Sequence, residues 1–207
     1  MSRVVCLSFP LAASRLEVDG IRALDPELEV VAVPYMEEGA RRNSRHAMSL
    51  EELRATAPGL TAEQRDAFAR AEILLALDVP VDLAEIAPKL RWVQCAGAGV
   101  EHFAGSGVTE KGILVTNSSG IAATSIAEFV IGRLLAVWKR FDELAEAQQK
   151  REWVTTFGRT FAGSVVGIVG VGAIGSAVAR RAKALGATVL GVRRTARSVA
   201  DVDEMYS

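Results

Sequence analysis

Short apolar runs alternate with helical patterns through the first half of the chain. Four runs have the length of a β-strand, at residues 3–8, 28–33, 73–77 and 92–96. Ser49–Glu52 and Thr61–Gln64 have the capping-box pattern, in which a hydroxyl and a side chain three residues later satisfy free amides where a helix begins. Because several strands are apolar on both faces, the pattern predicts a parallel sheet covered by helices on two sides. We expect an α/β domain over residues 1–102.

The second half, residues 103–207, predicts another α/β unit. A short strand at 113–116 precedes a long helix that begins near Ala122 and continues into the 140s. Apolar residues cover most of the circumference of this helix, so we expect it to be buried on several sides, between domains or against another subunit. A polar connecting arm is expected over residues 141–160. The elements predicted after it are a strand at 165–169, a glycine-rich turn, a helix near 173–185 and a strand at 188–192.

The glycine-rich turn carries the strongest chemical signal. Gly170, Gly172 and Gly175 form a Gly-x-Gly-x-x-Gly pattern that follows a buried-strand pattern and precedes an alanine-rich helix, which is the context of a dinucleotide-binding loop. Gly170 permits a tight turn, Gly172 lets a pyrophosphate approach the backbone, and Gly175 lets the helix pack on its strand. The phosphates would bind free amides at the start of the helix, which includes Ala173 and Ile174. A plain strand-turn-helix without a ligand is the alternative.

The end of the next strand indicates which dinucleotide is bound. A site that prefers NAD places Asp or Glu there, about 20 residues after the glycines, to bind the ribose 2′-hydroxyl. This sequence has Arg193, Arg194 and Thr195 instead, with Arg197 close by. Guanidinium groups and a hydroxyl bind a 2′-phosphate, whereas a carboxylate would repel it. We therefore predict NADP(H) rather than NAD(H). The alternative is that these arginines belong to a solvated loop.

Composition and charge exclude several classes of protein. The 207 residues carry a formal net charge of −1 and no basic tract, which argues against nucleic acid as a partner. Cys6 and Cys95 lack the spacing of a disulfide framework or a zinc site, so we expect buried free thiols and no metal. The apolar segment at 126–138 is shorter than the roughly 20 residues that span a bilayer. We expect a cytoplasmic protein without a membrane span.

Three runs together resemble the D-isomer-specific 2-hydroxyacid dehydrogenase family. They are Pro88–Glu101, which is similar to the family's substrate loop; Val115–Phe129, which is similar to its crossing into the cofactor domain; and Gly163–Gly175, which is similar to its dinucleotide loop. The resemblance covers most of the chain from about residue 72 onward and is weaker before it. It implies a flavodoxin-like substrate domain at residues 1–102, followed by the N-terminal part of an NAD(P)-binding Rossmann domain at 103–207.

The resemblance also implies roles for individual residues. The backbone amides of Ala98 and Gly99 would hold the carboxylate of a small 2-oxo or 2-hydroxy acid, such as glyoxylate or hydroxypyruvate, although a simple strand-to-helix turn is the alternative. Ile126 would line the nicotinamide pocket, or would equally be a core residue. The helix at 122–140 and the arm at 141–160 resemble the family's dimer interface, so we expect a homodimer.

The chain departs from the family pattern at several positions. Glu101 stands where Asp is usual, and Ser164-Val165 where Lys-Thr is common. Neither His46 nor His102 matches the family's catalytic histidine. The family's catalytic Arg, Glu and His are expected beyond the sequence available here, and we assign no catalytic residue. The chain is therefore expected to be a C-terminally truncated dehydrogenase that is inactive alone. The alternatives are a noncatalytic dinucleotide-binding or dimerisation module, and an incomplete remnant without function.

Overall fold

The computed structural model describes residues 3–9, 15–195 and 197–207. The chain divides into two compact units, Met1–Ser119 and Gly120–Ser207. Each unit has its own parallel β-sheet and its own apolar core. The α/β class predicted from the sequence is confirmed in both.

The first unit is built on a five-stranded parallel sheet with the strand order β2-β1-β3-β4-β5. Its strands are β1 (Arg3–Leu7), β2 (Leu28–Ala32), β3 (Ile73–Ala76), β4 (Trp92–Cys95) and β5 (Leu114–Thr116). Its helices are α1 (Arg15–Leu24), α2 (Gly39–Ser44), α3 (Leu50–Ala55), α4 (Ala62–Arg70) and α5 (Leu83–Ile86), with 3-10 turns at Arg45–Ala47 and Glu101–Phe103.

Alternate residues of the central strands enter two separate apolar clusters. Cys6 and Leu74 pack with Phe68 of α4, whereas Leu7 and Leu75 pack with Ile21 of α1. Successive side chains of a strand point to opposite faces, so both faces of this sheet are covered, as predicted. The two predicted capping boxes are present and begin α3 and α4.

The boundary between the units lies later in the chain than the predicted one. β5 pairs in parallel with β4, with Trp92 opposite Leu114 and Gln94 opposite Thr116, and this pairing extends the first sheet. The expected boundary after residue 102 therefore falls inside the first unit, and the strand predicted at 113–116 belongs to the first sheet rather than the second. The division follows a strand pairing that the local pattern does not reveal.

The second unit is a three-stranded parallel sheet with helices packed on it. Its strands are β6 (Val165–Val169), β7 (Thr188–Val192) and β8 (Glu204–Tyr206), in the order β6-β7-β8. Its helices are α6 (Ala123–Trp138), α7 (Phe141–Lys150) and α8 (Ala173–Ala184). The core joins Ile131 of α6, Val178 of α8 and Val189 of β7. Arg181 of α8 also donates to Glu128 of α6 over 3.0 Å.

Two elements of this unit differ from the sequence prediction. The first half of the expected arm is the helix α7, which begins after Arg140 at a positive φ of 57° and has Asp142 and Glu143 in its first turn. The chain also forms a third strand, β8, where none was predicted. The second half of the arm is irregular and is held at its end by Arg159, whose amide donates to the Trp138 carbonyl and whose guanidinium lies 5.5 Å from the Trp138 ring.

Candidate dinucleotide and substrate sites

The glycine turn links β6 to α8 in a conformation that depends on Gly170. This residue has a φ of +92°, which favours glycine because a side chain there is strained. Its amide donates to the Val192 carbonyl over 2.8 Å, and its carbonyl accepts from Gly172 over 3.0 Å. The turn is therefore fixed to the end of β7, the strand whose C-terminal end carries the arginines.

Gly175 lies in a crowded position, whereas Gly172 faces open space. A Cβ at Gly175 would lie 2.3 Å from the Gly170 carbonyl oxygen, so only glycine allows the first turn of α8 to pack against the loop. A Cβ at Gly172 would meet no atom within 4 Å. Gly172 thus leaves open space above the backbone, which is the space that a ligand's phosphate would use.

The N-terminus of α8 has the features of an anion-binding site. Its N-cap is Gly172, which has no side chain to cap the helix, and its first turn holds no acidic residue. Within the described residues, the amides of Ala173, Ile174 and Gly175 donate to no protein acceptor. Free amides at the positive end of a helix bind phosphate, so these residues fit the pyrophosphate of a dinucleotide. By contrast, α3 and α4 are capped by their own side chains.

A cavity of ≈ 480 Å³ lies between this turn and the arginine segment, the stretch after β7 that carries Arg193 and Arg197. Its walls are formed by Val171, Gly172, Ala173, Ser176, Arg193, Arg197, Ser198 and Val199. Arg193 is partly buried, and its amide donates to the Tyr206 carbonyl of β8 over 3.0 Å, which fixes the start of the segment. A helix N-terminus and two guanidinium groups therefore share one cavity.

The structure separates the predicted cofactor residues. Arg193 and Ala173 line the cavity, whereas Arg194 and Thr195 are exposed and lie outside its walls. Ile126, on α6, is 38 % exposed. The sequence did not indicate Ser176 and Ser198 as residues of the cavity wall. It indicated Arg197 only as a residue close to the predicted cofactor site. No local pattern marks these positions; Val199, which follows Ser198, packs against the core of the second unit.

The predicted substrate loop lies in the first unit, directly after β4. The Asn117 amide nitrogen donates to the Ala98 carbonyl over 2.5 Å, and the Ser118 amide donates to Gly97 over 2.9 Å. Within the described residues, the amides of Ala98 and Gly99 donate to no protein acceptor. The loop is thus held by its carbonyl oxygens while two neighbouring amides stay free, which is the arrangement that suits a carboxylate.

Glu101 lies over this loop. A Cβ at Gly99 would lie 2.5 Å from its Oε2 atom, so the carboxylate lies close to the backbone of Gly99. An anion that binds the loop amides would require the Glu101 side chain to turn away, because like charges repel.

The two histidines share a cavity but form no acid–base pair. His46, His102, Glu101, Arg42 and Asn43 line a cavity of ≈ 270 Å³ in the first unit. The Nε2 atom of His102 is engaged with the Leu77 carbonyl at 2.6 Å. This contact accounts for His102 as a structural residue.

A buried ion network supports the walls of this cavity. Asp78 accepts from Arg42 at 2.5 Å and 2.6 Å and from the Glu37 amide at 2.8 Å. Arg45 donates to Glu37, Val79 and Ala104. The bond to Asp78 raises the pKa of Arg42, whereas burial lowers the pKa of Arg45. The network fixes α2 and the following turn against the loop after β3.

The two cysteines are buried and free, as predicted. Among the described residues, no group of three or more His, Cys, Asp or Glu side chains could hold a metal ion. No helix in the described part of the chain is long and apolar enough to cross a membrane.

Comparison with known proteins agrees with these geometries. The family model for the D-isomer specific 2-hydroxyacid dehydrogenase NAD binding domain matches residues 131–207, which include the glycine turn and the arginine segment. The matched residues are fewer than half of the chain and all lie in the second unit, so this part of the chain is similar to that NAD binding domain. The matched range includes β6, α8, β7 and β8.

Two curated relatives illustrate the match. D-3-phosphoglycerate dehydrogenase of Methanocaldococcus jannaschii is 33 % identical over 146 residues, 65 % of this chain and 27 % of the relative. Glyoxylate reductase of Korarchaeum cryptofilum is 34 % identical over 123 residues, 56 % of this chain and 37 % of the relative. The matches therefore span less than half the length of these relatives.

A solved structure supports the fold. The D-lactate dehydrogenase of Treponema pallidum superposes with a TM-score of 0.70 at 21 % identity, covering 99 % of this chain and 57 % of that one. The same parallel α/β architecture therefore underlies both chains.

Proposed function

We propose that the chain is of the D-2-hydroxyacid dehydrogenase type, an oxidoreductase that transfers hydride between NADP(H) and a small 2-oxo or 2-hydroxy acid, and that the chain alone binds these ligands without turnover. The observation that carries the proposal is the cavity that joins the uncapped start of α8 to Arg193. A bound nicotinamide dinucleotide supplies or accepts the hydride. Gly172 leaves room for its pyrophosphate, and the amides of Ala173, Ile174 and Gly175 hold it.

The preference for NADP(H) rests on charge at the end of β7. No Asp or Glu is present among residues 188–200, whereas Arg193, Arg194, Thr195 and Arg197 are. A guanidinium forms strong charge-assisted hydrogen bonds to phosphate, while the ribose hydroxyl of NAD(H) offers it no charge. Ile126 of α6 is assigned to the nicotinamide side of the site by the resemblance to the family, and its side chain is 38 % exposed.

The first unit is assigned to the substrate. Its strand order 2-1-3-4-5 supports the flavodoxin-like substrate domain, because this is the order of the flavodoxin-type sheet. The free amides of Ala98 and Gly99 follow the carboxyl end of β4, where ligands bind in parallel α/β sheets. These amides would hold the carboxylate of a substrate such as glyoxylate or hydroxypyruvate.

We assign no residue of this chain to proton transfer, so we propose that the chain binds ligands without turnover. His102, which follows the substrate loop, already contacts the Leu77 carbonyl through its Nε2 atom. A chain of this kind is also compatible with a second function, a noncatalytic dinucleotide-binding or dimerisation module. Steady NADPH consumption with glyoxylate or hydroxypyruvate, followed by absorbance, would support catalysis by the chain itself and contradict this part of the proposal.

Binding of NADPH by the purified chain tests the cofactor proposal. Tryptophan fluorescence is titrated with NADPH and NADH, for the natural chain and an Arg193→Asp variant. We expect saturable NADPH binding that Arg193→Asp weakens by at least about tenfold, since a carboxylate repels the 2′-phosphate. Equal affinity of the natural chain for both dinucleotides would contradict the NADP preference, and binding of neither would contradict the dinucleotide site.

We also propose that two copies of the chain associate through α6 and the segment 141–160. Phe129 is 70 % exposed and Trp153 is 92 % exposed, which is unusual for large aromatic side chains on a monomer. We expect a concentration-dependent dimer in analytical ultracentrifugation that Phe129→Asp and Trp153→Asp abolish. Leu24→Asp is the matched control, because Leu24 of α1 is similarly exposed in the other unit. A monomer at all concentrations would contradict the homodimer.

A further inference from the structure

The sulfur of Cys95 is hydrogen-bonded to the substrate loop at two points. The Gly97 amide donates to Sγ over 3.3 Å, and the thiol donates to the Gly99 carbonyl over 3.5 Å. A Cβ at Gly97 would lie 3.7 Å from the same sulfur, so the turn at residues 97–99 passes close to it. The last side chain of β4 therefore connects the two ends of this turn.

The two free amides, those of Ala98 and Gly99, lie between these points. Each belongs to a peptide unit whose carbonyl is already bound. The Gly97 carbonyl accepts from the Ser118 amide over 2.9 Å, and the Ala98 carbonyl accepts from the Asn117 side chain over 2.5 Å. In a trans peptide unit the N–H points opposite to the carbonyl. These two bonds therefore direct both free amides away from residues 117–118.

We propose that Cys95 is a positioning residue of the substrate site, whose thiol fixes the peptide units on either side of the free amides so that both amides bind one carboxylate. The inference rests on the proposed substrate function of this loop. It assigns a role to a thiol that the sequence indicated only as a buried residue.

The two contacts of the sulfur flank the free amides in the chain. The Gly97 amide belongs to the peptide unit before the free pair, and the Gly99 carbonyl belongs to the unit after it. Without the thiol, both flanking units lose a hydrogen bond and gain rotational freedom. The amides between them must then be ordered when an anion binds, and this ordering lowers affinity.

The chemistry of sulfur suits a contact between a polar loop and an apolar core. Cys95 is fully buried and belongs to the apolar cluster that includes Val93 and Phe103. A thiol packs as a small apolar group and is also a weak donor and a weak acceptor. Burial raises the pKa of the Cys95 thiol, so it keeps at neutral pH the proton that it donates to Gly99.

The experiment measures the binding of oxamate, an unreactive analogue of a 2-oxo acid, through the backbone amide NMR signals of the whole chain. Cys95→Ala removes the sulfur, and Cys95→Ser retains a donor and an acceptor at the same position. Cys6→Ala is the matched control, because Cys6 is equally buried in the same cluster but lies on β1, which β3 separates from β4.

We expect oxamate to shift the Ala98 and Gly99 amide signals of the natural chain in a saturable way. Cys95→Ala should raise the dissociation constant by roughly fivefold to tenfold, the effect of losing hydrogen bonds that hold the donors in place. Cys95→Ser should recover most of this loss, and Cys6→Ala should change the dissociation constant by less than about twofold. A purely structural role would instead give Cys95→Ala and Cys6→Ala the same effect.

Hydrogen exchange of the Gly97 amide tests the contact without any ligand. This amide donates to Sγ, so its exchange should become faster in Cys95→Ala and remain unchanged in Cys6→Ala. Exchange at the natural rate in Cys95→Ala would show that the sulfur does not hold the loop, and would overturn the inference.

The outcomes separate this inference from the function on which it rests. Oxamate affinity that survives Cys95→Ala, or that falls as much in Cys6→Ala, would overturn the role of Cys95 and leave the substrate site in place. Failure of Cys95→Ser to recover any affinity would also overturn it, because the donor and the acceptor are present in that variant. Absence of any shift at Ala98 and Gly99 in the natural chain would overturn the substrate site, and the inference with it.

Discussion

At the scale of single residues, Gly172 and Gly175 have separable roles. Gly175→Ala places a methyl group 2.3 Å from a backbone oxygen, so we expect a loss of about 1–3 kcal/mol in unfolding free energy. Gly172→Ala meets open space and should change stability by less than about 0.5 kcal/mol, but should weaken NADPH by tenfold or more where the pyrophosphate approaches. Thermal denaturation and fluorescence titration measure the two effects. Unchanged NADPH affinity in Gly172→Ala would remove the pyrophosphate from this turn.

The thiols provide a second prediction at this scale. Burial raises the pKa of Cys6 to about 12 and also raises that of Cys95. The thiolate is the reactive form, and at pH 8 both thiols should therefore remain protonated and shielded. We expect Ellman's reagent to react slowly with the native chain and to reveal two thiols rapidly in guanidinium chloride. Rapid reaction of either thiol in the native chain would show that its cluster opens readily.

Sequence reasoning succeeds at residues whose role depends on local backbone and fails where packing decides. Gly170, Gly172 and Gly175 show the turn, the open space and the close contact that their motif predicts. Arg193 was predicted from the number of residues that separate it from the glycine motif, because α8 and β7 together fix that separation. Arg197 and Ser198 enter the cavity because Val199 is anchored in the core, and this contact has no local signature.

At the scale of elements, Asp203 connects β8 to the rest of the second unit. Its carboxylate accepts from Lys183 of α8 and from the Val189 amide of β7, each over 2.7 Å. The Lys183 contact and the Val189 amide lower its pKa from 3.8. Because the folded state has the lower pKa, this contribution to stability is present above the unfolded value and is lost as pH falls through the folded value.

We therefore expect the urea midpoint of the natural chain to fall as pH is lowered from 5 to 3, and to fall less in Asp203→Asn. Asp201→Asn is the matched control, since Asp201 has a positive φ of 63° that Asn tolerates. The control should retain the acid-dependent loss of the natural chain. If Asp203→Asn and the natural chain lose stability in parallel, other carboxyl groups account for the acid response.

Most helices and strands were predictable from the sequence, and the exceptions have two causes. β6 and β7 have the predicted bounds because each is a continuous apolar run beside a clear turn. α7 was missed because its mostly polar surface resembles a connecting arm, although its residues are good helix formers. β8 is three residues long, and it exists through its pairing with β7. In the same way, β5 joins the first sheet through pairing rather than through its own sequence.

At the scale of the whole molecule, the second unit exposes an apolar sheet face. The side chains of Ile168 in β6 and Val189 in β7 lie in the core. On the other face of β6, Val165 is 61 % exposed and Val169 is 89 % exposed. Parallel sheets normally bury both faces, and exposed apolar patches favour association. We expect the purified chain to bind the dye ANS and to aggregate progressively as its concentration rises.

Charged residues on this face should reverse that behaviour without weakening the fold. Val165→Lys and Val169→Lys together should reduce ANS fluorescence and light scattering, because each lysine interrupts the apolar surface at the edge of the sheet. The melting temperature should change little, since neither side chain contributes to the core. Leu24→Lys changes an equally exposed apolar residue of the first unit and should leave both signals high. If Leu24→Lys lowers ANS fluorescence as much as the β6 variants do, the apolar surface that drives association belongs to the first unit instead.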